Sequence, residues 1–217
     1  MKKFAVAFII LLLVIPAVAQ GFYSNGPTNG NTDAWTINFG FIVSDRFTNP
    51  GNGSTVTGGT FAMWVFPGDT VTSAELSITS LENGGNTYFD QTVSFTQSGC
   101  VLNQYSFNVC NESTIFSGPT LNTGTYWINL QNASVPSGDP VYWDENSGGA
   151  HAWPPGASDN TVGTIPAESF TLFGSCDGRD CAATPAPADP TVPEPASILL
   201  LGPGVAGLAA WLRRKQF

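Results

Sequence analysis

The sequence predicts an all-β protein built on a single β-sandwich with jelly-roll-like connections. Three observations carry this prediction. Apolar and polar residues alternate with a period of two, turn residues interrupt the chain at intervals of roughly ten to fifteen residues, and no segment has the period of an amphipathic helix. The sandwich is expected at residues 20–175, between an N-terminal signal helix and a C-terminal transmembrane sorting helix.

The N-terminal segment 1–19 has the features of a secretory signal peptide. Two lysines at its start provide positive charge, and an uninterrupted apolar run follows them. The small residues Ala17 and Ala19 occupy the −3 and −1 positions before Gln20. This pattern predicts export by the Sec machinery and cleavage by signal peptidase before Gln20.

Eight or nine strands are predicted between residues 22 and 174. Residues 35–43 alternate between apolar and polar, whereas residues 60–66 are apolar at nearly every position, as in a strand that is covered on both faces. The Asn-Gly-Gly-Asn sequence at 83–86 predicts a hairpin turn. The remaining strands are expected near residues 74–79, 89–95, 105–109, 125–130, 141–143 and 169–173.

All four cysteines lie in the part expected to be exported, where thiols are oxidised. Four cysteines allow three connectivities. The short spacings favour two local disulfides, Cys100–Cys110 and Cys176–Cys181. Nine extended residues would hold the ends of the first pair about 30 Å apart, so that bridge requires a bend near residues 103–104. Neither pair has the spacing of a zinc site.

The expected mature part of the chain is strongly acidic. Between residues 20 and 192 there are fifteen acidic side chains and only Arg46 and Arg179, so this stretch carries about −13. Phosphate backbones are repelled by such a charge, which argues against nucleic acid as a partner. Neutral glycans and divalent cations remain compatible with it.

The C-terminal region divides into a linker and an apolar segment. Residues 176–191 contain the second cysteine pair and a Pro/Ala-rich linker, and residues 196–212 carry no charge. Seventeen helical residues span about 25 Å, which is slightly short of a hydrocarbon core of about 30 Å. The basic cluster that follows is expected to stay on the cytoplasmic side. This segment is therefore predicted to hold the chain in the inner membrane only transiently.

Val-Pro-Glu-Pro at residues 192–195, the apolar segment and two arginines resemble the PEP-CTERM sorting signal, over residues 192–217. The resemblance implies recognition by exosortase, a membrane protease of Gram-negative bacteria that make exopolysaccharide. It also implies an inner-membrane intermediate, followed by delivery to the cell surface or extracellular matrix. An ordinary tail anchor would not account for Pro-Glu-Pro. The processing and sorting residues are Ala17, Ala19, Pro193, Glu194, Pro195, Arg213 and Arg214.

Catalytic motifs are missing from the sequence. His151 is the single histidine, and neither a Gly-x-Ser-x-Gly elbow nor a metal-binding histidine pair occurs. We therefore expect no catalytic activity. A small secreted glycan hydrolase, using two of the carboxylates Asp144, Glu145 and Asp159, is the less favoured alternative.

A candidate glycan-binding site follows from one predicted strand and the segment after it. Tyr126, Ile128 and Leu130 share one face of the strand. With that face in the core, Trp127 and Asn129 point outward, where an indole ring can stack on a sugar. The alternative is that the tryptophans pack beneath the Gly/Pro-rich loop that follows. The candidate glycan-binding residues are Trp127, Asn129, Tyr142 and Trp143.

Oxygen ligands for a structural calcium ion are also concentrated in this region, although carboxylates that cap loops are the simpler interpretation. The candidate calcium ligands are Asp139, Asp144, Glu145 and Asn146; no other metal or cofactor is expected. The function that we expect is that of a non-enzymatic exported protein of the surface or extracellular matrix, associated with exopolysaccharide or biofilm. The first alternative is a carbohydrate-binding module for exopolysaccharide.

Overall fold

The computed structural model describes residues 20–49, 51–146 and 157–175, and in these ranges the protein is all-β. The described residues form strands, turns and bends without a helix, and they include no helix that is long and apolar enough to cross a membrane. The predicted signal helix, the linker at 176–191 and the sorting helix at 196–212 lie outside the described residues.

Fourteen strands are present in the described ranges. In chain order they are β1 (Gln20–Ser24), β2 (Ala34–Thr36), β3 (Ile42–Asn49), β4 (Ser54–Val65), β5 (Ser73–Leu81), β6 (Gly84–Ser94), β7 (Thr96–Leu102), β8 (Asn108–Ile115), β9 (Thr120–Leu121), β10 (Gly124–Ser134), β11 (Tyr142–Asp144), β12 (Ala157–Asp159), β13 (Gly163–Ile165) and β14 (Phe170–Ser175). Several of the strands that sequence patterns missed have only two or three residues, too few to show a period.

The strands form two sheets in which every described pairing is antiparallel. Sheet A has eight strands centred on the long strand β4, which pairs with β14 and β11 along one edge and with β8 and β9 along the other. β7 extends this sheet beyond β8. Sheet B has six strands in the order β13-β12-β3-β10-β5-β6.

Both sheets contribute to one hydrophobic core, so the architecture is β-sandwich-like. Sheet A supplies an aromatic group in which the rings of Phe61, Trp143 and Phe170 lie 5.6 to 6.2 Å apart. Sheet B supplies, among others, Phe47 and Ile128, both fully buried. Burying each such side chain stabilises the fold by about 1.5–3 kcal/mol. The all-β prediction is confirmed, while the jelly-roll-like connection of the strands stays a prediction.

The predicted strand at 35–43 is interrupted. β2 ends at Thr36, and Phe39 and Gly40 have φ angles of 56° and 90° in a turn closed by a hydrogen bond from the Phe41 amide to the Asn38 carbonyl. The residues of this turn happen to alternate between apolar and polar although they do not form a strand. Phe39 is accordingly exposed rather than buried. The apolar–polar alternation therefore predicted one continuous strand, whereas the left-handed backbone conformations of two residues end the strand there.

The predicted strand at 105–109 begins later than expected, because residues 103–107 form the turn between β7 and β8. This turn is the bend that a Cys100–Cys110 disulfide requires, and the disulfide is present. The strand expected at 60–66 lies within β4 and is buried on both faces up to Val65. Cys176 and Cys181 lie outside the described residues.

Candidate functional site

A pocket of about 400 Å³ opens on the outer face of sheet A. Its rear wall is Trp64 of β4, and Tyr142 of β11 lies beside it, since the two residues are paired in register. The turn between β7 and β8 contributes Tyr105 and Phe107. The segment before β2 closes the other side with Asp33. Volumes of this size are typical of small-ligand sites.

Aromatic rings dominate the walls of this pocket. The Tyr105 ring is stacked on Trp64 with centroids 5.7 Å apart and an interplanar angle of 22°. Phe107 lies 5.8 Å from Trp64 and 5.5 Å from Tyr142, so it joins the two sides of the pocket. Trp64 is only 5% exposed, whereas Tyr105 is 52% exposed. The accessible ring surface is therefore provided mainly by Tyr105, and Trp64 supports it.

The turn that carries Tyr105 is held by one asparagine. The Oδ1 atom of Asn103 accepts hydrogen bonds from the backbone amides of Tyr105 (3.0 Å) and Phe107 (2.9 Å). The backbone N–H of Asn103 donates a hydrogen bond to the backbone carbonyl of Phe107 at 2.8 Å. Ser106 adopts a left-handed conformation with φ 68°. Asparagine side chains commonly stabilise turns in this way, and the Cys100–Cys110 disulfide joins the two strands that enter and leave the turn.

A buried carboxylate fixes the rear wall. Asp144 accepts hydrogen bonds from the Trp64 indole and, at 3.0 Å each, from the backbone amides of Asn29 and Gly30. Burial raises the pKa of Asp144 to about 6, although these three donors act in the opposite direction. Both carboxylate oxygens are thus engaged, and Asp144 holds Trp64 in position rather than facing the pocket.

Further acidic side chains are buried close to Asp144. Glu145 accepts a hydrogen bond from the Trp35 indole at 2.8 Å, and burial raises its pKa. Glu168 is fully buried, and neither oxygen of its carboxyl group has a hydrogen-bond partner. Burial, followed by the charge of nearby Asp45, raises the pKa of Glu168 well above its usual range. Burial and the neighbouring carboxylates therefore favour the protonated, neutral form of Glu168 in the folded protein.

Asp45 completes this group from sheet B. Its carboxylate accepts hydrogen bonds from the Asn25 side chain (2.7 Å) and from the backbone amides of Arg46 and Glu168 (2.6 Å each). Burial raises the pKa of Asp45 to about 8 against the effect of these bonds. Hydrogen bonds of Asp45 thus join β3 of sheet B to the segments that follow β1 and precede β14 of sheet A. The raised pKa values predict that the stability of the fold depends on pH.

Of the four predicted glycan-binding residues, only Tyr142 lies in the pocket. Trp127 is half-buried on the outer face of sheet B, in register with Arg46 and Thr79 of the neighbouring strands. Asn129 also lies on that face, but it is 2% exposed because its amide bonds to Ser77 and Thr79 and to the turn after β5.

Trp143 is completely buried, and its indole donates to the Ser169 carbonyl at 3.0 Å. Trp127 and Trp143 are therefore not exposed side by side, as a shared glycan platform would require. The two indoles belong to different sheets, and Trp143 faces the core between them. A residue on a three-residue strand gives too little pattern for its facing direction to be predicted from the sequence.

The four predicted calcium ligands do not form a site in the described part of the chain. No group of three acidic, histidine or cysteine side chains among the described residues is arranged to hold a metal ion. Asp144 and Glu145 each accept an indole donor, and the Asn146 side chain donates to the Asn25 carbonyl at 2.8 Å. Asp139 belongs to a separate loop, where its carbonyl accepts from Asn38. Structural calcium at these residues is unsupported.

The carboxylates considered for hydrolysis are also separated. Asp159 lies on β12 of sheet B, where its side chain accepts hydrogen bonds from the amides of Thr161 and Val162 and so caps a turn. Asp144 and Glu145 lie at the end of β11 of sheet A and beside it. His151 lies outside the described residues. Asp144, Glu145 and Asp159 are thus hydrogen-bonded to structural partners and do not share a cleft.

Sequence reasoning missed Trp64, Tyr105, Phe107 and Asp33 as site residues. One signal was available for Trp64, because an apolar residue on the outer face of β4 must be covered by something. Tyr105 and Phe107 were assigned to a strand, which concealed that they belong to a turn able to fold over that face. The contribution of Asp33 depends on a contact between distant segments.

The predicted sorting residues Ala17, Ala19, Pro193, Glu194, Pro195, Arg213 and Arg214 lie outside the described residues. No curated protein matches the chain. The family model of the PEP-CTERM protein-sorting motif matches residues 191–215, which include both prolines, the glutamate and both arginines of the predicted signal. The motif implies export in a Gram-negative bacterium, a membrane-anchored intermediate and processing by exosortase. The chain therefore carries a PEP-CTERM sorting motif and is an exosortase-targeted surface protein.

Proposed function

We propose that this protein is a non-catalytic component of the cell surface or extracellular matrix that binds exopolysaccharide. The observation that carries the proposal is the aromatic pocket of sheet A, where Tyr105 presents an exposed ring beside Tyr142 and Asp33. Ring faces stack on the apolar faces of sugar rings, and a few polar groups orient the hydroxyls.

The charge of the protein indicates which polysaccharide it takes. Arg46 is the single cationic side chain among the described residues, and the pocket itself contains the carboxylate of Asp33. A polyanionic polysaccharide would be repelled at this surface, whereas a neutral one would not. The ligand is therefore a neutral exopolysaccharide, such as one in a biofilm matrix.

The absence of hydrolysis is supported by the arrangement of the carboxylates. Glycoside hydrolases flank the scissile bond with two carboxyl groups separated by about 5 to 9.5 Å. Among the described residues, Asp33 is the one carboxylate that lines the pocket, and Asp144 is committed to Trp64 and two backbone amides. The pocket can hold a sugar chain without a pair of groups to cleave it.

Delivery follows from the targeting segments. The Sec machinery and signal peptidase release the chain at Gln20, the segment 196–212 holds it transiently in the inner membrane, and exosortase removes the C-terminal sorting tail. The jelly-roll-like sandwich is then left at the cell surface or in the matrix, where its outer faces meet polysaccharide.

Affinity electrophoresis of the purified full chain tests the proposal, in a detergent without a sugar headgroup. We expect slower migration in gels containing a neutral polysaccharide from a panel of hydroxyethyl cellulose, mannan and galactan, and unchanged migration with alginate as the polyanion. Tyr105→Ala should weaken binding about tenfold, the loss expected for one stacking ring. Tyr88→Ala is the matched control, because Tyr88 is similarly exposed (42%) but lies on sheet B.

Unchanged migration on every neutral polysaccharide would contradict the proposal. Equal effects of Tyr105→Ala and Tyr88→Ala would contradict the assignment of the pocket. Release of oligosaccharide products that disappears in Asp144→Asn would replace binding by hydrolysis.

A further inference from the structure

A second cavity lies next to the aromatic pocket. This groove has a volume of about 290 Å³ and is rich in asparagine. Its walls include the side chains of Asn29, Asn31, Asn103 and Asn111, together with Leu102 from the end of β7. None of these residues was among the candidate binding residues predicted from the sequence.

The groove and the pocket share two chain segments, although the pocket also uses β4 and β11. Asn31 lines the groove and Thr32 lines the pocket, while Asn103 lines the groove and Tyr105 lines the pocket. Where the segments meet, the Gln104 side chain donates a hydrogen bond to the Asn31 carbonyl at 3.3 Å. The two cavities therefore adjoin across a single exposed contact.

The chemistry of the groove complements that of the pocket. An asparagine amide offers a donor and an acceptor side by side, which suits neighbouring sugar hydroxyls, and it carries no charge. Asn31 is exposed at the groove and Asn111 is half-buried there, whereas the Nδ2 atom of Asn103, unpartnered among the described residues, is buried. Leu102 is exposed at the groove and supplies apolar contact area. The groove thus offers polar contacts to sugar units that do not stack on a ring.

Resting on the proposed function, we propose that the pocket and the groove are consecutive subsites for one extended, uncharged polysaccharide chain. One sugar unit stacks in the pocket on Tyr105, and the following units cross the Gln104–Asn31 contact and bind the asparagines of the groove. The ligand is then an internal stretch of polysaccharide, and a single sugar or a chain end fills only part of the site.

Calorimetric titration of the full chain with oligosaccharides of one to six units tests this inference. The oligosaccharides are prepared from the neutral polysaccharide that retards the chain in the gel, and the detergent again lacks a sugar headgroup. The expected affinity rises at least tenfold from two to six units. The groove variants Asn31→Ala and Asn111→Ala should each lower the affinity for six units about three- to tenfold and leave that for two units unchanged.

The pocket variant Tyr105→Ala should instead lower the affinity for every length, and Tyr88→Ala should change none. Affinity that is already maximal with two units, or groove variants that bind six units as tightly as the unchanged chain, would overturn the extended site. The pocket and the proposed function would survive that result. Failure of the unchanged chain to be retarded by any neutral polysaccharide would overturn both.

Discussion

The outer faces of the two sheets each carry a tryptophan, and they differ in what covers it. On sheet A, Trp64 lies beneath the turn at 103–107 and is bonded to Asp144, so a walled pocket results. On sheet B, Trp127 lies between Arg46 and Thr79 of the neighbouring strands, and it lines neither of the two cavities described above. The more buried tryptophan therefore belongs to the better candidate site, because a concave site needs walls as well as a ring.

The two faces also differ in how polar groups are used. Asn129 on sheet B is saturated by Ser77, Thr79 and the Asn83 amide, so its hydrogen bonds stabilise the sheet. On sheet A, Asn29 and Asn103 are also used by their own turns, but Asn31 is exposed and Asn111 is half-buried at the groove. Polar residues on an outward face thus indicate binding only where their hydrogen bonds remain available to a ligand.

The largest expected difference between the faces concerns the two tryptophans. Trp64→Ala should lower the free energy of unfolding by about 3–5 kcal/mol, because it removes a buried ring and the indole donor of Asp144. Trp127→Ala should cost clearly less, since Trp127 is only partly buried. Urea denaturation measures both. Equal losses would contradict the view that Trp64 is part of the structural support of sheet A.

A pH titration probes the buried carboxylates beside the rear wall of the pocket. Burial raises the pKa of Asp144 to about 6 and that of Glu168 well above its usual range, so the folded protein holds protons that the unfolded chain releases. Their contribution to stability is complete below the unfolded pKa of about 4 and is lost as pH rises through the folded values. Asp144 alone corresponds to a loss on the order of 3 kcal/mol between pH 4 and pH 7.

Urea denaturation at one-unit steps from pH 4 to pH 8 measures this slope. Glu168→Gln keeps the neutral shape of the side chain and should make the slope shallower. Glu82→Gln, at an exposed position in the β5–β6 turn of sheet B, should leave the slope unchanged. Stability that increases with pH over this range would show that the buried carboxylates are ionised in the fold.

The disulfide is expected to stabilise the fold and, on sheet A, to hold the turn that carries Tyr105. Replacing Cys100 and Cys110 together by serine should lower the free energy of unfolding by about 2–3 kcal/mol, through the freedom regained by a short loop in the unfolded chain. The same change should weaken polysaccharide binding, because the bridge joins the strands on either side of the turn that carries Tyr105. Urea denaturation and affinity electrophoresis measure the two effects. A destabilised variant with unchanged affinity would show that Asn103 alone holds the turn.

The smallest effect on the free energy of unfolding is expected for a substitution on sheet B. Asn129→Ala should lower the free energy of unfolding by about 1–2 kcal/mol, because several hydrogen bonds in a buried setting are lost. Polysaccharide affinity should not change, since Asn129 lies on the sheet opposite the pocket. Affinity electrophoresis with the same gels checks this, and weakened binding would return sheet B to consideration as a glycan surface.

Much of the fold could be predicted from local pattern. The strand expected at 60–66 falls in β4, which ends at Val65, and the strand around Ile128 falls in β10. The hairpin expected at 83–86 is present, with its turn at residues 82–83. Each of these features depends on neighbours in sequence. The Cys100–Cys110 bridge and its bend were predicted for the same reason. Short strands such as β2 and β11 were placed less well, since three residues do not establish a period.

The candidate site could be predicted only in part. Tyr142, one of the four candidate glycan-binding residues, lines the pocket, but Trp143, its neighbour, faces the core. Alternation states that adjacent residues point to opposite faces, and it does not state which face is covered. That choice depends on sheet pairing with β4 and β2, which no local pattern encodes.

By itself, the sequence determined the all-β class and the sorting motif at residues 191–215, because period and linear motif are properties of consecutive residues. Only the tertiary structure decided where an aromatic surface opens. The segments around Asp33, Trp64, Tyr105 and Tyr142 are separated along the chain, and antiparallel pairing and the β7–β8 turn bring them to one pocket. Packing between distant segments, rather than composition, creates that concavity.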